Sequence, residues 1–288
     1  MSVQRFQEHL AALSPYFQIS KQPPALASDT VSGAVYLFRH GILDVSHNDF
    51  NTYVQLFLRR IEVLQGAGRP FAKGQLAALQ TYRSWISKAH VGMVSGAGLS
   101  QSANMGRHFR QRYSQVLKDF QVKEGDLKPI MRVWSDNATR CRLSAITFAD
   151  AFSGTIVGNA NDNLPLIDCQ VNVSDLSDTP GTCKNLAWHA ALQVDQQAGN
   201  REMQQLMKVT TRDALQRLRC DWSSSQEFGA EDVHAIELLH CYDVVSGRKL
   251  PFETWFTPAD WIGFEYLRDT KYHYSEGYGS DTCGIAVP

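Results

Sequence analysis

The stretch Tyr36-Leu37-Phe38-Arg39-His40-Gly41 decides how the rest of this chain is interpreted. Its apolar, aromatic-rich residues predict a buried strand over 34–38 that runs into an Arg-His-Gly turn. An arginine and a histidine at the carboxyl end of a buried strand form an anion site with a titratable nitrogen, and a glycine lets the backbone turn closely around a ligand. The stretch therefore predicts a functional site at 39–41. For the tripeptide alone, a surface turn after an edge strand is the alternative.

The composition is that of an ordinary globular protein with a sizeable core. The chain has 288 residues, 43% of them hydrophobic, and a formal net charge of −1. A near-zero net charge provides no basic field for nucleic acid and no polybasic segment for an anionic membrane, so we expect neither partner. No apolar run reaches the length that crosses a bilayer, and Arg5, Glu8 and His9 interrupt the start where a signal peptide needs an apolar core. We therefore expect a cytoplasmic location.

The cysteines are scattered along the chain, at positions 141, 169, 183, 220, 241 and 283. None of them forms a short pair of the kind that zinc sites use, so we expect neither a metal nor another cofactor. Disulfides and buried thiols both remain open for these side chains.

Strand-like and helical patterns alternate over the first 173 residues. The predicted helices cover 6–17, 53–64, 74–87, 100–120 and 145–152, and the predicted strands cover 34–38, 130–134 and 164–173. This repeated order of strand, turn and helix indicates an α/β fold with a mainly parallel sheet flanked by helices.

A polar, loop-like stretch over 174–182 separates this core from a mainly helical region. The predicted helices of that region cover 184–218, 230–242 and 258–272. No strand pattern interrupts them. The sequence thus predicts an α/β core with an N-terminal helix over 1–173, a mainly helical domain over 174–275, and a short return towards the core over 276–288.

Five motifs follow one another along nearly the whole chain. They are Ser14-Pro15-Tyr16-Phe17; Arg39-His40-Gly41; Gly98-Leu99-Ser100-Gln101 with Gly106, Phe109 and Arg112-Tyr113; the segment 135–145 with Arg140 and Ser144-Ala145; and the segment 256–279 from Phe256-Thr257-Pro258. In this order they resemble the motifs of the histidine acid phosphatases, within that family the fungal phytase-like branch. The resemblance implies a histidine-phosphatase-like α/β core with a helical domain. Members of that family are commonly secreted, so the resemblance leaves the compartment open.

The resemblance further implies roles for three residues. His40 matches the histidine that attacks phosphorus, and Arg39 and Arg140 match arginines that hold the phosphoryl oxygens. A guanidinium suits such oxygens because it donates two parallel hydrogen bonds to them. The partner expected from this set is a small anionic molecule.

The sequence departs from the family's Arg-His-Gly-x-Arg-x-Pro signature. Leu43 stands where the second arginine is expected, and Val45 stands where the proline is expected. A hydrogen bond to a charged group contributes roughly 1.5 to 3 kcal/mol, so the missing arginine weakens phosphoryl stabilisation about ten- to a hundredfold. The family's general acid belongs to a His-Asp pair, and this sequence contains no His-Asp dipeptide. Asp44 and His47 follow His40 closely and are the candidates for an auxiliary acid or base.

Three functions fit these observations. The first is an enzyme whose repurposed phosphatase-type pocket acts on a non-phosphate anion such as a carboxylate, enolate or phenolate, with His40 as base, acid or nucleophile. The second is a weakened phytase-like phosphomonoester hydrolase with a phosphohistidine intermediate, and the third is a non-catalytic anion-binding protein. We also expect an open sheet edge where the family's last strand would lie, covered by another segment or by a second copy of the chain in a homodimer.

Overall fold

The computed structural model describes residues 35–114, 117, 130–155, 167–174, 198–248, 252 and 254–275. They fall into two compact units. The α/β unit contains residues 35–43, 93–114, 117, 130–155 and 167–174, and the helical unit contains residues 44–92, 198–248, 252 and 254–275. The predicted N-terminal helix and the predicted return over 276–288 lie outside the described residues.

The helices and strands have well-defined bounds. In chain order they are Gln55–Gly66 (α1), Gly96–Arg112 (α2), Ile130–Asp136 (β1), Thr139–Ser153 (α3), Asp168–Ser174 (β2), Asn200–Thr210 (α4), Arg212–Arg219 (α5), Ala230–Val245 (α6) and Pro258–Ser275 (α7). A short helix His47–Asp49 and a π-helical turn Phe50–Val54 lead into α1, and 3₁₀ turns occupy Gly74–Gln80 and Lys88–His90. Within the described ranges, no helix is long and apolar enough to cross a membrane.

A parallel pair of strands and two helices build the α/β unit. β1 and β2 run in parallel with Val133 opposite Val171, and Val133 packs with Ala145 of α3. α2 lies close to α3 because it presents Gly106 there, where a Cβ atom would stand 2.5 Å from the carbonyl oxygen of Phe148. The α/β class predicted from the sequence is confirmed.

The segment 35–38 is extended, but it pairs with no strand among the described residues. The ring of Tyr36 packs against Phe109 of α2, with the ring centroids 4.2 Å apart, whereas Val35 and Leu37 are fully exposed. Alternate side chains of an extended segment point to opposite sides, and only one side meets the helices here. The expectation of a buried strand over these residues is therefore wrong for Val35 and Leu37, which face away from the helices. A second copy of the chain over a sheet edge stays a prediction.

α6 is the central helix of the helical unit, with 13 of its 16 residues buried. Residues of the preceding segment, such as Val45, Phe57 and Leu76, belong to the same hydrophobic core as α6. The segment 44–92, which the sequence pattern assigned to the α/β core, thus packs with the helical residues instead. Its apolar side chains are buried against helices that lie far away in sequence, such as α6.

The predicted helix over 74–87 is much shorter in the structure, where only the 3₁₀ turn over 74–80 forms. The side-chain amide of Gln65 donates hydrogen bonds to the carbonyl oxygens of Leu79 at 2.8 Å and Tyr82 at 3.0 Å. A side chain that occupies these carbonyls offers the backbone an alternative to the helical hydrogen-bond ladder. The helix therefore stops before the end that its apolar spacing predicts.

Candidate functional site

The Arg-His-Gly turn lies in the α/β unit, with Arg39 exposed and His40 half-buried. The Nδ1 atom of His40 lies 2.8 Å from the carbonyl oxygen of Gly41. Because a carbonyl oxygen only accepts, this contact assigns the hydrogen of the neutral ring to Nδ1. The lone pair of the ring is then on Nε2, the nitrogen suited to act as a base or a nucleophile.

The start of α2 holds this turn from one side. Ser95 caps α2, since its hydroxyl accepts the N–H of Gly98 at 2.9 Å. The N–H and the hydroxyl of Ser95 both donate to the carbonyl oxygen of Ile42, each at 2.8 Å. Gly41 lies directly against Gly98, because a Cβ atom on Gly41 would stand 2.3 Å from the carbonyl oxygen of Gly98. The turn and the helix therefore meet backbone to backbone.

A pair of glycine substitutions in α2 tests this contact. A Cβ atom at position 98 would stand 2.3 Å from the carbonyl oxygen of Ile42, whereas a Cβ atom at position 96 would have nothing within 4 Å. We expect Gly98→Ala to lower the free energy of unfolding by about 1–3 kcal/mol through overpacking. The matched control Gly96→Ala should change it by less than about 1 kcal/mol. Urea unfolding of both variants measures the difference, and equal stabilities would contradict the contact.

The N-terminal half of α3 also holds the Arg-His-Gly turn. The hydroxyl of Ser144 donates to the carbonyl oxygen of Arg140 at 2.8 Å and accepts the N–H of Gly41 at 3.0 Å. The Nε atom of Arg140 is buried and has no hydrogen-bond partner within the described part of the chain. An unsatisfied buried guanidinium nitrogen is costly, so it favours an acceptor supplied from outside the chain.

The positive charges of Arg39 and Arg140 both influence the pKa of His40. Burial lowers the pKa of His40 below its ordinary value, and the positive charges of Arg39 and Arg140 lower this pKa further, whereas the hydrogen bond that Nδ1 donates to the carbonyl oxygen of Gly41 raises it. The same two guanidiniums also act on Cys141, whose pKa is raised above its ordinary value mainly by burial. The charges of Arg39 and Arg140 thus both act on His40. The roles of these three residues in binding and catalysis stay predictions.

The two auxiliary candidates belong to the helical unit. Asp44 is half-buried, and burial raises its pKa while the charge of His90 opposes the rise. His47 is exposed at the start of the short helix, and its ring occupies the space beside Gly92, which adopts φ +76°. Each candidate thus has a partner in its own unit, and their auxiliary roles stay predictions.

The two positions that depart from the phosphatase signature carry apolar residues, and the backbone of each forms an isolated bridge. Leu43 forms an isolated antiparallel bridge with Val94, and Val45 forms a parallel bridge with Val91. Val45 is fully buried in the hydrophobic core of the helical unit. The side chain of Val45 therefore serves for packing, and neither Leu43 nor Val45 has a side-chain donor for an anion.

Sequence reasoning missed part of what surrounds the turn. Ser95 was detectable as a helix cap, because it directly precedes the glycine-rich start of α2. Ser144 and Gly98 were noted only as members of motifs, since nothing in the sequence relates them to Gly41. Cys141 follows Arg140 directly in sequence, but the influence of Arg39 on it arises only from the fold.

The described residues include further potential metal ligands and four of the cysteines. In the ranges covered by the structure, no group of three or more His, Cys, Asp or Glu side chains could hold a metal ion. The cysteines at 141, 169, 220 and 241 have free thiols. Those at 183 and 283 lie outside the described residues.

Comparison with known proteins identifies the family. Residues 34–284 match the model of the histidine phosphatase superfamily (branch 2). Because this match covers most of the chain, the protein belongs to that superfamily. The resemblance inferred from the five motifs is thereby confirmed.

Two similar proteins are phytases. The chain is 22% identical to phytase A of Aspergillus awamori over 283 residues, which covers 93% of the chain and 55% of that relative. The crystal structure of the phytase from D. castellii superimposes with a TM-score of 0.60 at 17% identity, covering 83% of this chain and 50% of that one. The chain therefore shares the fold and spans about half the length of these relatives.

Proposed function

We propose that Arg39, His40 and Arg140 bind a small anionic molecule, and that His40 acts on it chemically. The observation that carries the proposal is the electrostatic one. His40 lies within reach of two positive charges that lower its pKa, and its Nδ1–H is engaged by Gly41. A ring that is neutral near pH 7 then offers the Nε2 lone pair to a guest whose negative charge the arginines attract.

The departures at 43 and 45 favour a guest other than phosphate. A phosphoryl group that passes through its transition state carries charge on three oxygens and needs several donors. Leu43 and Val45 supply none, and both take part in backbone bridges within their units. A carboxylate, an enolate or a phenolate has fewer charged oxygens, which two guanidiniums can satisfy. With such a substrate, His40 serves as base, acid or nucleophile.

Phosphomonoester hydrolysis is the second candidate, favoured by the superfamily and by the similarity to phytases. In that reaction the Nε2 lone pair of His40 forms a bond to phosphorus while the bond to the ester oxygen breaks. The leaving oxygen takes the electron pair and a proton from solvent water, and a second water then attacks phosphorus, breaks the bond to Nε2 and releases phosphate and neutral His40. A non-catalytic anion-binding protein would use the same arginines without either step.

Removing one guanidinium tests whether the set binds anions. We expect Arg140→Met to weaken the binding of inorganic phosphate or benzoate about ten- to a hundredfold, because it removes a charge-assisted hydrogen bond. Arg142→Met is the matched control, since Arg142 is an exposed arginine of the same helix, and its effect should stay below about threefold. Isothermal titration measures both affinities. If the parent binds neither anion, or if both variants lose affinity equally, the proposal fails.

Incubation with a chromogenic phosphate ester at acid and neutral pH separates the candidates. Hydrolysis at many turnovers per second that is lost in His40→Ala would establish the second candidate and reject the first. Anion binding without hydrolysis would favour the first candidate or the non-catalytic one. Turnover of a carboxylate, enolate or phenolate substrate that depends on His40 then distinguishes those two.

A further inference from the structure

Ser144 lies between the two parts of the proposed site. Its side chain is almost completely buried in α3, and its hydroxyl contacts two backbone groups from segments about a hundred residues apart. The hydroxyl hydrogen goes to the carbonyl oxygen of Arg140, and the hydroxyl oxygen receives the N–H of Gly41. Both hydrogen-bonding capacities of this side chain are therefore used, one on each side of the site.

We propose that Ser144 is a positioning residue that fixes the backbone next to His40 relative to the backbone of Arg140. This assignment rests on the proposed function for its purpose, since it concerns the same site. Ser144 itself does not meet the guest, and it acts only through the two residues whose backbone it joins.

A buried serine in a helix can satisfy its hydroxyl within its own helix alone. The buried Ser102 of α2 does so, since it donates to the carbonyl oxygen of Gly98 at 3.1 Å, four residues earlier. Ser144 makes the equivalent bond within α3 and adds the one to Gly41. The second bond joins α3 to the Arg-His-Gly turn. Because Gly41 directly follows His40, this bond holds the backbone beside the imidazole.

The two hydrogen bonds of Ser144 give a reason why the side chains of Arg39, His40 and Arg140 keep fixed positions relative to one another. Arg39 is next to His40 in sequence, so the chain itself keeps these two together. Arg140 enters from a different element, and the hydroxyl of Ser144 is a direct hydrogen-bonded connection between that element and the turn. Without it, the buried N–H of Gly41 loses its acceptor, and the hydrogen bond that holds the turn to α3 at this point is lost.

The titration of His40 reports on this geometry without any guest. The pKa of His40 is lowered by burial and by the charges of Arg39 and Arg140. If the turn and α3 separate, the burial and the effect of Arg140 both weaken. The pKa of His40 then moves upward towards its ordinary value of 6.5.

The experiment compares Ser144→Ala with Ser153→Ala in the full chain. Ser153 lies in the same helix, is also buried and donates to the carbonyl oxygen of Asp150 at 2.9 Å, but it does not contact the turn. Titration by NMR follows the imidazole signals of His40, assigned by their loss in His40→Gln. We expect an upward pKa shift in Ser144→Ala and none in Ser153→Ala. The affinity for inorganic phosphate should fall roughly two- to tenfold in Ser144→Ala alone.

An unchanged His40 pKa in Ser144→Ala, or an equal shift in both variants, overturns the assignment. If the alanine variant does not fold, Ser144→Cys replaces it, because a thiol of similar size is only a weak donor and acceptor. That variant should shift the pKa in the same direction, and titration identical to that of the parent counts against the role. If the parent does not bind phosphate, the proposed function loses support, while the titration of His40 still decides the role of Ser144.

Discussion

Replacing Glu237 with leucine is expected to lower the free energy of unfolding by about 3–5 kcal/mol, the usual cost of breaking a buried ion pair. Glu237 is fully buried in α6 and accepts a hydrogen bond from the guanidinium of Arg268 in α7. The thiol of Cys241 also donates to it at 3.0 Å, and Nδ1 of His234 lies 3.1 Å from its other oxygen. Without the carboxylate, the buried guanidinium of Arg268 loses the negative charge that it faces in α6.

Two further variants show whether the loss comes from the buried charge. Glu237→Leu combined with Arg268→Met removes both charges, and we expect it to regain most or all of the stability. Glu227→Leu removes the carboxylate of an exposed pair with Arg219, whose charged atoms lie 3.4 Å apart, and should cost at most about 1 kcal/mol. Urea unfolding measures all three. A double variant that is less stable than Glu237→Leu would contradict the argument.

The acid dependence of stability provides an independent measure of the same pair. Burial alone would raise the pKa of Glu237, but the charge of Arg268 and the contacts from His234 and Cys241 outweigh it and hold the pKa at about 2. The folded-state pKa is thus below the ordinary value of 4.5. The ionised carboxylate of Glu237 therefore makes its full contribution to the free energy of unfolding above pH 4.5, and this contribution is lost as the pH falls through about 2. The stability difference between the parent and Glu237→Leu should narrow over that window.

Replacing Asp243 with asparagine is expected to raise the free energy of unfolding by up to about 3 kcal/mol at pH 7 and above. Asp243 is 1% exposed, and one of its oxygens accepts the indole N–H of Trp85. Its other oxygen is buried without a hydrogen-bond partner among the described residues. Burial raises its pKa from 3.8 to about 6, although Trp85 and the charge of Arg248 oppose the rise. Ionisation of this carboxyl therefore destabilises the fold.

The sign of the pH dependence follows from that raised pKa. Between pH 3.8 and about 6 the folded state keeps a proton that the unfolded state has lost, so the stability of the parent falls as the pH rises through this window. Asparagine does not titrate, and its carbonyl still accepts from Trp85. The gain in Asp243→Asn should therefore vanish near pH 4. Thermal unfolding between pH 4 and 8 measures it, and a gain independent of pH would contradict the mechanism.

A second buried aspartate is the contrasting control. Asp260 is 5% exposed, but its carboxylate accepts from Arg217 at 2.5 Å and from the N–H of Thr257 at 2.6 Å. Because donors surround it, Asp260→Asn should destabilise the protein rather than stabilise it. Opposite signs at the two positions would show that satisfaction of the carboxylate, and not burial alone, decides the effect.

Much of the α/β unit was predictable because its elements follow local rules. The apolar run at 130–134 corresponds to β1, the helix predicted over 145–152 lies within α3, and the strand predicted over 164–173 overlaps β2. The errors came from interactions between distant residues. The helix predicted over 74–87 ends early because the amide of Gln65 takes its carbonyls.

In the candidate site, too, some residues were predictable from local sequence and others were not. Arg39 and His40 are neighbours in sequence, and the character of their stretch pointed to an anion site directly. Arg140 lies about a hundred residues later, and only a resemblance between motifs connected it with the turn. No sequence pattern encodes the hydroxyl of Ser144 between them, because that contact depends on how α3 packs.

Gly41 and Gly98 touch through their backbones, so a side chain at either position would collide with main-chain atoms of the other segment. Laboratory evolution towards a new substrate therefore has to act through the residues that surround this junction. A library randomised at both positions is expected to return glycine at each after selection for soluble protein. The contact between Gly41 and Gly98 thereby limits how far the position of His40 can change without changes in the residues that hold its backbone.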